Sequence, residues 1–239
     1  MNWQTTLIQR LIHLNESLFF YPKLKKFYRT NLKQDEVRII DVGANKGQTA
    51  DFFLRLYPKS EIHAFEPNEK LFGMLQSKFK RNDSIFIYNH GISNFNGQLP
   101  FSENILDETS TFEELNPESE YLRRKAKLLG VSVAEIIIDT YPVAVTRLSD
   151  YIKKKQQYFD VVKIDVEGHE LQCLQGLFDF DGKLPVRFIQ IESHNDDMYR
   201  TNNQIEIEKL LNTNHFRRVA KISHGFGDFH ELIYEYSIR

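Results

Sequence analysis

Two short segments in the second half of the chain carry most of the side chains that could move a proton. Residues 165–170 have the sequence DVEGHE and follow one apolar run, while Glu192 and His194 follow the next one. An imidazole titrates near neutral pH and could accept a proton, and a carboxylate could orient it. The pattern therefore predicts a catalytic group of Asp165, His169 and His194, in which one of the two histidines is the base.

The carboxylates in these segments allow a second kind of chemistry. Hard divalent cations such as Mg²⁺ prefer oxygen ligands, which Asp165 and Glu192 could supply. A bound cation of this kind would lower the pKa of a coordinated hydroxyl group and so favour its deprotonation. The sequence leaves this metal alternative open beside the histidine base.

A glycine-containing turn earlier in the chain has the spacing of a ligand-binding loop. Residues 41–47 have the sequence DVGANKG, and Gly43 and Gly47 would let the backbone approach a ligand closely. A dinucleotide-binding turn would need glycines where Asn45 and residue 48 stand. Asp41 would repel a pyrophosphate but could pair with an ammonium group. We therefore predict a ligand with an amino group, bound by Asp41, Gly43, Asn45 and Gly47.

Glu66 is the next candidate ligand-binding residue along the chain. It ends a predicted strand 23 residues after Gly43, close to the spacing of roughly 20 residues at which an acidic residue binds ribose in nucleotide-binding sheets. Its two carboxylate oxygens could accept hydrogen bonds from two neighbouring hydroxyl groups. The spacing therefore predicts ribose binding by Glu66.

The elements that must position these residues alternate between strands and helices from residue 37 onward. This alternation predicts an α/β fold with a doubly wound, Rossmann-like, mostly parallel sheet, whose strand ends open onto one crevice. The last two strand-like runs are too close in sequence for a helical crossover, so they predict an antiparallel end of the sheet. The expected strands are 37–42, 61–66, 85–89, 161–166, 186–192, 216–222 and 231–236.

Two segments fall outside this alternation. Residues 1–34 form a predicted helical arm with a basic run, which could pack on its own domain, on a second copy in a homo-oligomer, or on a membrane surface. Residues 103–142 are rich in charge and longer than an ordinary loop, so we expect a helical cap over the site, followed by a short strand at 143–146. The main domain is expected to span residues 35–239.

Composition narrows the classes of partner and compartment. The chain has 239 residues with 31 basic and 33 acidic side chains, a formal charge of −2, so no general field attracts nucleic acid. Its single cysteine, Cys173, excludes an internal disulfide and fits a cytoplasmic protein. No stretch approaches 18 consecutive apolar residues, so no transmembrane segment is expected.

Three blocks of the sequence resemble one known family. Residues 39–47, 64–67 and 162–170 are similar, in order and spacing, to the signature blocks of the FkbM family of S-adenosylmethionine-dependent methyltransferases, and the similarity extends over about residues 37–236. The resemblance implies a class I methyltransferase fold, with the amino acid part of S-adenosylmethionine near residues 41–47 and its ribose at Glu66. It also implies that Asn89 and His90 lie near the adenine.

The function that follows is methyl transfer to oxygen. The resemblance places a small-molecule or glycan acceptor beside Asp165 and Glu192, and it implies O-methylation of a carbohydrate, a glycoconjugate or a related natural product. An NAD-dependent oxidoreductase is one alternative, which the missing third glycine disfavours. A binding module without catalysis is another, which the joint presence of Asp41, Glu66 and Asp165 disfavours.

Overall fold

A computed structural model gives the fold of the chain and describes residues 19–105, 109–193, 197–200, 203–224 and 229–237. The helices are α1 (Tyr21–Asn31), α2 (Gln48–Leu56), α3 (Glu69–Phe79), α4 (Glu120–Leu129), α5 (Leu148–Lys155), α6 (Glu170–Phe178) and α7 (Gln204–Thr213). The strands are β1 (Arg38–Val42), β2 (Glu61–Phe65), β3 (Ile85–Tyr88), β4 (Gly91–Ile92), β5 (Gly97–Asn104), β6 (Ile137–Thr146), β7 (Phe159–Ile164), β8 (Val186–Ser193), β9 (Phe216–Ser223) and β10 (His230–Tyr236).

The main sheet has seven strands in the order β3-β2-β1-β7-β8-β10-β9. Strands β1, β2, β3, β7 and β8 are parallel, and β10 runs antiparallel to both of its neighbours. The chain winds outward from β1 in one direction and from β7 in the other, so the strand order reverses between these two strands. A sheet of this kind binds ligands at the carboxyl ends of the strands beside that reversal. The predicted doubly wound sheet is confirmed.

Alternate residues of the central strands enter two separate cores. Ile39 packs with α1 and α2, whereas Ile40 packs with α5 and α6 on the opposite face. A parallel sheet covered on both faces requires nearly continuous apolar strands, which explains the run of buried residues in β1. Tyr28 and Phe53 are almost completely buried in the first core, each contributing about 1.5 to 3 kcal/mol by removal from water. The two cores hold the strand ends in place.

A second, three-stranded sheet was not expected from the sequence. It has the order β4-β6-β5, and the strand expected at residues 143–146 is the last part of the ten-residue β6. Residues 137–142 of the predicted helical cap are therefore strand, and α4 is the longest helix in the described part of that segment. Pro100 and Pro142 face each other in the β5–β6 pair, and proline inside a run argues against a strand at the level of sequence.

The described part of the N-terminal arm packs on the sheet of its own domain. The Tyr21-Pro22 pair lies in the first turn of α1, where proline's missing N–H costs no intrahelical hydrogen bond. Leu24 and Tyr28 are buried, while the basic side chains of α1 are exposed. Residues 1–18, where an earlier helix was predicted, lie outside the described residues. Over the described ranges, no helix combines the length and apolarity needed to cross a membrane.

Candidate functional site

The turn after β1 requires glycine for steric reasons. Gly43 has φ +82°, and a Cβ atom there would lie 1.8 Å from the carbonyl oxygen of Asp165. Gly47 has φ +79°, and its Cβ would lie 2.7 Å from the ring of Phe79. L-residues with side chains rarely adopt this backbone region, and here the close neighbours also leave no room. Gly43 thus allows the end of β1 to lie against the end of β7.

Glu66 is fixed by the backbone at the end of β2. Its Oε2 accepts the N–H of Asn45 at 2.7 Å, and its Oε1 accepts the N–H of Asn68 at 2.9 Å. A carboxylate that accepts backbone N–H groups is held in one orientation, and each oxygen can accept more than one hydrogen bond. Glu66 therefore ties the glycine turn to β2 and brings acceptor oxygens to the pocket beside it.

One pocket collects three of the seven predicted cofactor residues. Its described lining includes the end of β1, three acidic residues and three aromatic rings: Val42, Gly43, Asn45, Phe65, Glu66, Pro67, Gly91, Ile92, Phe101, Ser110, Phe112, Asp165, Val166 and Glu167. The sequence thus predicted Gly43, Asn45, Glu66 and Asp165 at one site, and the structure brings them together.

Two of the three aromatic rings of this pocket, Phe101 and Phe112, were not predicted from the sequence. Phe101 belongs to β5 and Phe112 to the segment after it, and their ring centroids lie 5.0 Å apart. Phe112 also lies over Gly91, where a Cβ would come within 2.5 Å of its ring. Their contribution follows from the second sheet, so only a prediction of β5 could have identified them.

Three other predicted cofactor residues lie beside the pocket lining. Asn89 donates from Nδ2 to the carbonyl oxygens of Glu66 (3.0 Å) and Pro67 (3.2 Å), so it holds the backbone around Glu66. The ring of His90 packs against Phe65 with a centroid distance of 5.3 Å, and burial lowers the pKa of His90. Gly47 lies at the end of the turn, where the ring of Phe79 leaves no room for a side chain. Their contact with adenine or the amino acid part of the cofactor stays a prediction.

Asp41 lies beneath the turn rather than in the pocket lining. Its side chain is completely buried, and burial raises the pKa of its carboxyl group to about 6, although nearby Lys163 acts in the opposite direction. Direct pairing between Asp41 and a ligand ammonium would require the turn to move. That pairing stays a prediction, and the position of Asp41 favours a supporting role from below.

The DVEGHE segment forms a tight turn that presents Glu167. Glu167 has φ +54° and Gly168 has φ +100°, and the buried Glu170 carboxylate accepts the N–H of Gly168 at 3.1 Å. Tyr199 Oη donates to Glu167 Oε2 at 2.7 Å, and Thr111 Oγ1 donates to the Glu167 carbonyl oxygen at 2.6 Å. Side chains from distant segments therefore fix this turn from both sides.

His169 is not among the residues that line the first pocket, and its role as the base stays a prediction. It is buried, with Nδ1 2.7 Å from Glu113 Oε1 and Nε2 3.0 Å from Ser93 Oγ. A general base needs a ring nitrogen within hydrogen-bond reach of the reacting proton, and both nitrogens here already contact protein partners. His169 instead links the segment after β5 to the start of α6 and the end of β4. His194, the other predicted base, lies outside the described residues.

Asp165 is the predicted catalytic residue that does reach the pocket. Its Oδ2 lies 2.6 Å from Lys163 Nζ, and its side chain is 28% exposed. Burial acts to lower the pKa of Lys163, but Asp165 and other nearby carboxylates raise it well above its ordinary value. Lys163 is therefore an ammonium group, which is in direct contact with the Asp165 carboxylate at the edge of the pocket.

Three carboxylates meet above the ends of β7 and β8. One oxygen from each of Asp165, Glu167 and Glu192 lies within 4.8 Å of the others. The sequence predicted the pair Asp165 and Glu192, and the structure adds Glu167. Oxygen ligands at this separation could hold a divalent cation after a small contraction.

A second cavity of about 120 Å³ adjoins the DVEGHE turn on the side of β8. Its polar lining includes Ser193, Tyr199, Gln204 and Arg218, together with Glu192 from the three-carboxylate group and three further residues, Glu170, Asn203 and Glu208. Hydroxyl, amide and guanidinium groups of this kind can hydrogen-bond a polyhydroxylated ligand. The cavity and the first pocket therefore flank the same DVEGHE turn, residues 165–170, which we call the acidic turn.

Comparison with known sequences identifies one family. A family model described as "Methyltransferase FkbM domain" matches residues 41–227. Methyltransferase sdnD from Sordaria araneosa is 29% identical over 194 residues, which cover 72% of this chain and 71% of that protein. The 2-O-methyltransferase NoeI from Sinorhizobium fredii is 24% identical over 199 residues, which cover 81% of this chain and 78% of that protein.

Comparison with solved structures concerns the fold. The fibrillarin pre-rRNA processing protein of Methanococcus jannaschii superposes with a TM-score of 0.50 at 11% identity, covering 85% of this chain and 67% of that chain. At so low an identity the likeness extends to the arrangement of strands and helices alone.

Proposed function

This chain belongs to the FkbM family of S-adenosylmethionine-dependent methyltransferases, and from that premise we propose that it methylates a hydroxyl group of a carbohydrate, a glycoconjugate or a related natural product. The observation that carries the proposal is the acidic turn between two cavities, where Asp165 and Glu167 line the first pocket and Glu192 lines the second. The name of the similar NoeI protein, a 2-O-methyltransferase, favours oxygen as the accepting atom.

The first pocket is proposed to hold S-adenosylmethionine. Glu66 has the orientation and the acceptor capacity to bind the two ribose hydroxyls, because backbone N–H groups fix its carboxylate. Phe101 and Phe112 provide apolar walls suited to the adenine ring. Gly43 and Asn45 place their backbone next to the expected position of the amino acid part. These residues fit the cofactor's combination of polar and aromatic groups.

The protein's part in the reaction is alignment and proton removal. When bound, S-adenosylmethionine supplies a methyl group already activated by its sulfonium. Correct alignment of the acceptor hydroxyl can contribute about 7 to 11 kcal/mol, and a general base adds about 10²- to 10⁴-fold. Asp165 and Glu167 are the described groups best placed to orient the hydroxyl or accept its proton. His194 stays a candidate base, and His169 acts through the segment that it anchors.

A metal-assisted version of this reaction rests on the three-carboxylate group. Asp165, Glu167 and Glu192 could hold Mg²⁺, which would lower the pKa of the acceptor hydroxyl. Chelation with EDTA tests this version, because turnover would then be lost and restored by added Mg²⁺. Turnover that persists in EDTA assigns proton removal to the side chains alone.

The proposed function is tested by following the methyl group. The protein is incubated with S-adenosylmethionine carrying a carbon isotope in its methyl group and with a panel of glycosides, and the products are analysed by NMR. We expect the label on a glycoside oxygen, with the Asp165→Asn variant as the inactive comparison. Label on nitrogen or carbon would contradict O-methylation, and cofactor binding without transfer to any acceptor would favour a binding module.

A further inference from the structure

A group of buried charges lies on the sheet face that α1 covers. Asp41, Asp165, Glu192 and Glu231 surround Lys163 and together act on its pKa, and we call these five residues the carboxylate cluster. Strand register explains the grouping, because Asp41 pairs with Lys163 across β1 and β7, and Glu192 pairs with Glu231 across β8 and β10. So defined, the cluster holds four carboxylates for one ammonium.

Glu231 brings to the cluster a buried carboxylate oxygen that has no hydrogen-bond partner among the described residues. Its side chain is only 3% exposed, and no described residue donates a hydrogen bond to its Oε2. Burying an ionised carboxylate costs several kcal/mol unless a cation or hydrogen-bond donors offset the loss of water. Lys163 offsets part of this cost for Asp165, with which it is in direct contact at 2.6 Å. A further cation beside Glu231 would offset the cost of burying that carboxylate.

An imidazole stands next to Glu231 on the same side of the cluster. His224 Nε2 lies 3.8 Å from Glu192 Oε1 and 3.9 Å from Glu231 Oε1, and one ligand atom from each of the three residues lies within 4.8 Å of the others. Ligand atoms around a tetrahedral Zn²⁺ lie about 3.4 Å apart, given bond lengths of about 2.0 to 2.1 Å. The two contacts of His224 would shorten by about 0.4 to 0.5 Å to reach this separation, and the two carboxylate oxygens would close from a distance of at most 4.8 Å.

We propose that Glu192, His224 and Glu231 form a binding site for a divalent transition metal, with Zn²⁺ preferred over Mg²⁺. One imidazole nitrogen with two carboxylate oxygens is a ligand set found with Zn²⁺, whereas Mg²⁺ prefers oxygen ligands and retains its waters. This site is distinct from the Asp165, Glu167 and Glu192 group of the metal-assisted reaction, although the two share Glu192. Metal binding at this site does not depend on which molecule accepts the methyl group.

The surroundings of His224 suit a structural metal site. The ring of Phe20 stacks on the His224 ring with a centroid distance of 4.1 Å and an interplanar angle of 19°. The backbone N–H of His224 donates to the carbonyl oxygen of Phe229 at 3.1 Å, which joins β9 to the start of β10. Neighbours that fix the ring of a ligating histidine strengthen metal binding. The metal would link β8 to the β9–β10 hairpin next to α1.

The proposal is tested on the full chain after removal of bound metal with a chelator and dialysis. Titration calorimetry and thermal unfolding are measured with ZnCl₂ and, separately, with MgCl₂. We expect one Zn²⁺ per chain and a rise in melting temperature with Zn²⁺, because a ligand that binds only the folded state stabilises it. Mg²⁺ at the same concentration should produce a clearly smaller rise.

Three variants locate the site. Glu231→Gln and His224→Gln should each weaken Zn²⁺ binding at least about tenfold, since losing even an outer neighbour of a metal site costs about 10- to 100-fold. Glu167→Gln is the matched control and should stay within about threefold of the parent, because Glu167 belongs only to the other group. Without metal, Glu231→Gln should unfold at the same temperature as the parent or higher, which separates loss of binding from loss of folding.

Two results would overturn the proposal. One is the absence of stoichiometric Zn²⁺ binding by the parent chain. The other is Zn²⁺ binding that is unchanged in both Glu231→Gln and His224→Gln, which would place the metal elsewhere on the protein. Neither result bears on methyl transfer, so this proposal and the proposed function can fail independently.

Discussion

The two sides of the acidic turn are built in different ways. On the β1–β2 side, the groups proposed to meet the cofactor are held by backbone hydrogen bonds and by glycines with positive φ, as at Glu66 and Gly43. On the β7–β8 side, carboxylates are held by side chains from distant segments, among them Thr111 and Tyr199. The first side is rigid by its local geometry, whereas the second depends on the docking of the segment after β5.

Because of this difference, we expect separate residues to determine cofactor affinity and turnover. A site fixed by the backbone binds the same ligand irrespective of what the other side holds, and a site assembled from remote side chains can change its acceptor without changing the sheet. We therefore expect substitutions on the β1–β2 side to change cofactor affinity, and substitutions on the β7–β8 side to change turnover.

The largest expected effect is on turnover. Asp165→Asn removes a carboxylate that belongs to both the three-carboxylate group and the carboxylate cluster. It should lower kcat about 10²- to 10⁴-fold, the usual contribution of a positioned base. Affinity for S-adenosylhomocysteine should change by less than about tenfold. Steady-state kinetics and calorimetry measure the two quantities, with the fully exposed Asp181→Asn as control. A loss confined to cofactor affinity would place Asp165 on the binding side.

The next effect is on stability. Gly43→Ala should lower the melting temperature by at least about 5 °C more than Gly130→Ala, because both residues have positive φ but only Gly43 would meet a neighbouring atom, at 1.8 Å. Gly130 has no heavy atom within 4 Å of its added Cβ. Thermal unfolding of the two variants isolates the contact with β7. Equal losses would show that this contact contributes nothing beyond backbone conformation.

A pH-dependent effect follows from the buried Asp41. Its folded pKa of about 6 is above the ordinary value of 3.8, so the folded state holds the proton more tightly than the unfolded state. Stability should therefore fall as pH rises from about 4 through 6, by about 3 kcal/mol at most. Asp41→Asn should remove part of this fall, and denaturant unfolding in EDTA at several pH values measures it. Parallel profiles for the two proteins would contradict the raised pKa.

The smallest effect concerns the docked segment. Thr111→Val keeps the shape of the side chain but removes two hydrogen bonds, one donated to the Glu167 carbonyl oxygen and one accepted from the N–H of Glu113, each worth about 1 kcal/mol. Turnover should fall by up to about tenfold, with unchanged affinity for S-adenosylhomocysteine. Thr140→Val, on an exposed part of β6, is the matched control. Unchanged turnover would show that the segment does not set the geometry of the acidic turn.

Contacts within short segments could be predicted from the sequence, whereas contacts between distant segments could not. Gly43 and Glu66 lie in short segments whose spacing reflects local backbone geometry, so the sheet and part of the lining of the first pocket could be predicted. The contacts of His169 with Glu113 and Ser93 join residues 56 and 76 positions away, and no spacing rule reports them. The strands β5 and β6 were obscured by proline and polar residues, so Phe101 and Phe112 were missed with them.

The predicted cap, residues 103–142, shows the same limit of sequence-based prediction. Its charge and length predicted helices over the site, and the segment contains the helix α4. The residues that reach the pocket, Ser110 and Phe112, precede α4 and carry no distinctive pattern. Whether residues 103–142 cover a bound acceptor stays a prediction, which the Thr111→Val experiment addresses.

The central claim is that the β1–β2 side binds S-adenosylmethionine, and titration calorimetry with S-adenosylhomocysteine tests it most directly. The parent chain should bind one equivalent, and Glu66→Gln should weaken binding by about 10- to 150-fold, since hydrogen bonds to a charged group contribute about 1.5 to 3 kcal/mol. Glu69→Gln, an exposed neighbour, should bind like the parent. Binding of NAD in place of S-adenosylhomocysteine, or a Glu66→Gln variant that binds as tightly as the parent, would contradict the account.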